Sequence, residues 1–199
     1  KRMSYLKCEA CELCRSFSRC VSWEGSPHTR LTVISRNPGQ DEEALGSPFV
    51  GPAGQVLTML LAAVKLKRED VYITNLVKAF TPKNREPNTE EIMVCTNKFL
   101  ENELTIIDPL VVMALGSTVI NYFVGETSVS DARKKKIYVL AEREFVVIPS
   151  WHPAFLVRNG IWNVDDLQNK KKNILFWDTV EDYKRALKAI EIFKSNSVY

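Results

Sequence analysis

The sequence contains no apolar run approaching the ~20 residues needed to cross a bilayer. Its start, Lys1-Arg2, leads into no secretory h-region. Strong charge of one sign is missing too: the formal net charge is +3 and the sequence pI about 8.6. That mild basic balance permits a nucleic-acid partner without pointing to one. No internal repeat or low-complexity tract is visible. Cysteine is sparse and uneven, with Cys8, Cys11, Cys14 and Cys20 inside thirteen residues and Cys95 apart from them. A secreted disulfide framework would spread its cysteines over a smaller, loop-rich chain, so this clustering points to metal ligation. No Met stands at position 1. The expectation is a soluble cytoplasmic protein, monomeric and without a membrane partner, or an excised piece of a longer chain.

What is present suffices for one core. The chain has 199 residues, of which 45% are hydrophobic, and is read as a single domain over 1–199 with a cysteine-rich cluster-binding segment at 8–20. Short apolar, β-branched runs predict strands over Leu31–Ile34, Val71–Thr74, Leu110–Leu115 and Phe145–Ile148. Helical spacing predicts helices over Gln55–Val64, Thr89–Leu104, Ser117–Tyr122 and Asp178–Lys194. Alternation of the two predicts a three-layer α/β/α sandwich with a mainly parallel central sheet. In such sheets ligands bind outside the carboxyl ends of the strands, so the loops after Ile34, Thr74 and Ile148 are expected to converge on one pocket. Lys134-Lys135-Lys136 is read as loop. It and Lys170-Lys171-Lys172 are either solvated faces or salt-sensitive phosphate contacts. Trp151, Trp162 and Trp177 are assigned to core packing, and His28 to solvent.

Several blocks carry a resemblance: CEACEL at 8–13, NPGQDEEALGSPFVGPAG at 37–54, VYITNLVK at 71–78, NREP at 84–87, EIMVC at 91–95, DPLVVMALG at 108–116 and HPAFLVR at 152–158. In this order and spacing they resemble family 4, the iron–sulfur branch of the uracil-DNA glycosylase superfamily, over roughly residues 8 to 158. The resemblance implies a monofunctional glycosylase that hydrolyses the N-glycosidic bond of a uracil, or related pyrimidine, flipped out of DNA, because a stacked base hides that bond. It implies that Phe49 stacks on the base and that Asn75 reads its Watson–Crick edge through an amide offering donor and acceptor. His152 would stabilise charge at the uracil O2, with Glu42 close to the base. Gly39 and Gln40 would add backbone amides to the leaving anion. Asn84, Arg85 and Arg158 would touch the DNA.

Two departures stand out. Where the family begins its first motif Gly-Glu-x-Pro-Gly, this chain has Ser35-Arg36-Asn37-Pro38-Gly39, an Arg in place of the acid. Asn-Pro-Gly resembles the first motif of the mismatch-specific and single-strand-selective branches, which implies that Asn37 positions the attacking water; the alternative is a plain turn residue before proline. The family's third cluster cysteine falls on Ala79, which cannot ligate. Cys8, Cys11 and Cys95 match the other three. Cys14 supplies the fourth, with Cys20 as the alternative. A [4Fe–4S] cluster is the implied cofactor, and zinc would accept the same thiolates. No lysine is placed for Schiff-base chemistry. Phe49 could instead be a core aromatic. A rival reading is a non-catalytic glycosylase-like DNA-binding domain of a larger replication or repair protein.

Overall fold

The computed structural model describes residues 8–16 and 20–196; part of the cysteine-rich segment, residues 17–19, lies outside them. Six strands form one sheet in the order β1-β3-β2-β4-β6-β5. They are β1 (Glu24–Gly25), β2 (Leu31–Ser35), β3 (Tyr72–Asn75), β4 (Val111–Leu115), β5 (Tyr138–Leu140) and β6 (Phe145–Ser150). The four inner strands run parallel, and the short edge strands β1 and β5 pair antiparallel.

Strand alternation divides the core. Val33, Ile73, Val111, Met113 and Ile148 face one way with Val56, Leu60, Phe176 and Val180. Ile34, Val112, Ala114 and Val147 face the other with Leu100, Leu104, Val119 and Ile120. A period of two puts successive side chains on opposite faces, and strands buried on both faces must be apolar throughout. The helices supplying the first layer are α3 (Pro52–Ala63), α8 (Pro153–Arg158) and α9 (Lys170–Asn196); α1 (Glu12–Ser16) and α2 (Gln40–Leu45) are short turns nearer the N-terminus. The second layer holds α4 (Thr89–Cys95), a π-helical turn (Thr96–Leu100), α5 (Glu101–Ile107), α6 (Ser117–Val124) and α7 (Val129–Lys135). The α/β/α sandwich with a mainly parallel sheet is therefore as expected. Among the described residues no helix is long and apolar enough to cross a membrane.

The differences from the sequence reading have local causes. Helix α3 starts three residues early because Pro52 suits the first helical position after Gly51. Helix α9 starts eight residues early, where the Asn169 side chain accepts the Lys171 and Lys172 N–H groups; its three lysines hid the apolar period. Lys134 and Lys135 belong to α7, not to a loop, and Ser128 caps that helix by accepting from Asp131. The short helices α2 and α8 carry too few turns to show a period. The helix from Thr89 is broken by the π turn, a feature that often marks functional regions. Trp162 and Trp177 are exposed at 49% and 44%, so core packing is not their role.

Candidate active site

Each inner strand ends in the wall of one cavity of about 310 Å³, at the small end of ligand-site volumes. Ser35 and Asn75 close β2 and β3 in register, Leu115 ends β4, and Trp151 and His152 follow β6. Asn37, Gly39, Glu42, Phe49, Asn84 and Arg158 complete the expected set on its lining. The four turns carrying Asn37, Phe49, Asn75 and His152 thus meet as the sequence suggested. Gln40 and Arg85 are absent from the lining. Arg85 makes a two-point ion pair with Glu91, at 2.9 and 2.6 Å.

Asn75 is 2% exposed. Its Oδ1 accepts from the Ser35 hydroxyl at 2.5 Å, while its Nδ2 has no partner among the described residues. A buried donor left unpaired costs free energy, and a carbonyl entering the cavity would satisfy it. Ser35 was not singled out from the sequence; a serine at a strand end carries no signal until the register sets it beside Asn75.

Phe49 sits at φ +54°, a left-handed conformation uncommon outside glycine. It stacks on His152 with ring centroids 5.7 Å apart and planes at 24°. Gly54 makes this possible: a Cβ there would lie 1.7 Å from the Phe49 carbonyl oxygen. His152 caps α8, its Nδ1 accepting from the Ala154 N–H at 3.0 Å. With Nδ1 an acceptor, the neutral ring carries its proton on Nε2. Burial first, then the positive charges of Arg36 and Arg158, pull the His152 pKa down to about 4.

Glu42 is engaged on both oxygens, accepting from the N–H groups of Gly39 at 3.0 Å, Val50 at 2.9 Å and Gly51 at 3.0 Å. It ties the first-motif loop to the Phe49 loop. The Gly39 N–H is thereby donated to Glu42, while Gly39 stays on the cavity lining. Asn37 donates from Nδ2 to Pro38 O at 2.9 Å and Thr81 Oγ1 at 3.2 Å, and its Oδ1 accepts from Arg36 at 2.6 Å. One Oδ1 lone pair stays open.

Away from the cavity all five cysteines pack into one cluster with Val77, Ala79 and Phe99. The sulfurs of Cys8, Cys14 and Cys20 lie within 4.8 Å of one another. Cys14 Sγ is 3.3 Å from that of Cys20 and 3.8 Å from that of Cys11. Both expected candidates for the fourth ligand are therefore at hand. Cys95 accepts the Lys78 N–H at 3.1 Å, and burial raises its pKa to about 12. A thiol-only donor set fits soft-metal or iron–sulfur binding. Lys78, fully buried, also bonds from Nζ to Glu103 at 2.7 Å, Thr74 Oγ1 at 2.6 Å and the Asn75 carbonyl at 2.8 Å.

The sequence profile of the uracil DNA glycosylase superfamily matches residues 22–180. The chain is 41% identical over 155 residues to the type-4 uracil-DNA glycosylase of Thermotoga maritima, spanning 77% of this chain and 79% of that one. It is 36% identical to the Archaeoglobus fulgidus type-4 uracil-DNA glycosylase over 86% and 93% of the two chains. The corresponding protein of Sulfurisphaera tokodaii is 34% identical over 77% and 73%.

Proposed function

Given that the chain belongs to the uracil DNA glycosylase superfamily, we propose that its cavity receives a uracil flipped out of DNA and hydrolyses the bond joining it to deoxyribose. The observation that carries this reading is the buried, unpartnered Nδ2 of Asn75 on a cavity wall shared with Phe49 and His152. A pyrimidine O4 would accept from that Nδ2, and Phe49 would cover the ring face.

In the reaction the C1′–N1 bond breaks and its electron pair leaves with the base. Water adds at C1′ and gives up a proton to solvent, and the departed base anion takes one up, giving free base and an abasic site. His152, neutral and protonated on Nε2, donates to the O2 on which charge gathers. Asn37 holds the water through its open Oδ1 lone pair; an amide suffices because a cation-like sugar needs little nucleophilic push. Glu42 acts as a positioning residue, fixing the loops of Gly39 and Phe49. Ser35 orients the Asn75 side chain. Arg158, on the cavity rim, is the best-placed phosphate contact of the three expected.

A metal centre completes the reading. Cys8, Cys11 and Cys95 with Cys14 or Cys20 would hold a [4Fe–4S] cluster, which supplies a structural cross-link between the N-terminal segment and α4; zinc would use the same thiolates. The test of the whole reading is an oligonucleotide carrying one uracil, hydroxymethyluracil or hypoxanthine, treated with the protein and then with alkali to cut abasic sites. Cleavage at uracil is expected. Asn37→Ala should bind the same DNA and lose about 10²-fold or more in excision; undiminished activity would reject the water-holding role.

A further inference from the structure

Arg36 lines the cavity, yet the mechanism above gives it no chemical task. We propose that Arg36 is itself a catalytic group: its guanidinium stabilises the negative charge that the base acquires as the glycosidic bond breaks. The proposal rests on the base-excision reading of the cavity.

The geometry supports a fixed cation. Arg36 follows β2 directly, between Ser35, which holds Asn75, and Asn37. Its Nε donates to Asn37 Oδ1 at 2.6 Å, Nη1 to Glu86 Oε1 at 2.5 Å, and Nη2 to the Asn84 carbonyl at 3.2 Å and Asn84 Oδ1 at 3.1 Å. A guanidinium has five N–H groups. One on Nη1 is left uncommitted among the described residues, on a side chain held from three directions. Preorganised donors of this kind stabilise developing charge without reorganising at the moment of reaction.

Glu86 does not cancel the charge. Its side chain is 64% exposed and also accepts from Thr118 at 2.7 Å, whereas the Arg36 side chain is 23% exposed. The carboxylate is therefore screened by water, while the guanidinium forms part of the cavity wall. The other carboxylate on the lining, Glu42, is held by three backbone N–H groups. Arg158 adds a second cation to the wall. Burial first, then the positive charges of Arg36 and Arg158, lower the basicity of His152, which places both cations near its ring. With Arg36 present, charge on the departing base is met by a cation and a neutral imidazole together.

A leaving-group comparison tests this. Single-turnover excision of uracil and of 5-fluorouracil is measured in the same oligonucleotide; fluorine stabilises the departing anion, so that base needs less help. Arg36→Gln should slow uracil release by about 100-fold and 5-fluorouracil release by distinctly less, with Arg36→Lys intermediate. Glu86→Gln leaves Arg36 in place and removes its counter-charge, so it should move the ratio the other way, towards uracil. Equal losses on both bases would overturn the proposal. So would a defect confined to DNA affinity with a shallower salt dependence, the mark of a phosphate contact. Should Arg36→Gln fail to fold, the ratios of Arg36→Lys and Glu86→Gln decide, and an unmoved ratio in both overturns it. Wild-type protein that releases neither base would instead overturn the excision reading beneath it.

Discussion

At the scale of single residues the site works by fixing protons and amides. His152 shows the principle: a backbone N–H on Nδ1 fixes the tautomer, and burial beside two arginines keeps the ring neutral. Its pKa of about 4 lies below the ordinary 6.5. The excision rate should therefore show no acid limb near 6.5 from this group and should fall only as pH approaches 4. The sign for stability follows from linkage. The unfolded ring binds its proton first, so stability is lost as pH drops from 6.5 towards 4 and levels off below. Denaturant melts at stepped pH should show this loss in the wild type and a smaller one in His152→Asn. Equal slopes in the two proteins would remove His152 as the cause. Asn75 makes the complementary point, with one end of its amide held by Ser35 and the other buried without a partner among the described residues.

At the scale of elements, Lys78 links structures that the sequence presents as separate. It lies just past β3, with its Nζ on Glu103 of α5 and on the carbonyl of Asn75, and its backbone N–H on Cys95 at the end of α4. The cysteine cluster and the end of β3 thus share one residue. A buried ion pair broken from one side leaves an uncompensated charge, at a cost of about 3–5 kcal/mol. Lys78→Met should destabilise the protein by that order in denaturant melts. It should also raise KM for uracil-containing DNA more than it lowers kcat, since Asn75 loses the donor beneath its carbonyl. A stability loss under 1 kcal/mol (roughly a surface pair's worth) would show that Lys78 is not the tie the geometry indicates.

At the scale of the whole molecule, the cavity occupies the carboxyl ends of the parallel strands, while the cysteine cluster lies on Val77, Ala79 and Phe99, outside that cavity. This separation makes a structural role the natural one for a bound cluster. Purified protein should be brown, with absorbance near about 400 nm and about four irons per chain. Stripping the metal should lower the melting temperature and expose all five free thiols to titration. A colourless protein containing one zinc would keep the ligand set and replace the cofactor. Unchanged melting after stripping would remove the cross-linking role.

The sequence by itself determined the layered sheet, because strands buried on both faces must be apolar without interruption, and runs such as Val111–Leu115 satisfy nothing else. It also brought out the thiol grouping of the N-terminal segment, a donor set that could hold a metal, and it named the four residues that meet in the cavity. Only the tertiary structure decided what each of them touches. Ser35 serves Asn75 because strand register places β2 and β3 side by side. Glu42 braces two loops, and Arg36 spans from Asn37 to Glu86, fifty residues further along. Helices α2 and α8, whose N-termini shape the cavity, were too short to show a period. Hydrogen bonds between residues distant in the chain leave no periodic trace, because they depend on where the backbone has already been carried, and that is set by packing the two layers onto the sheet.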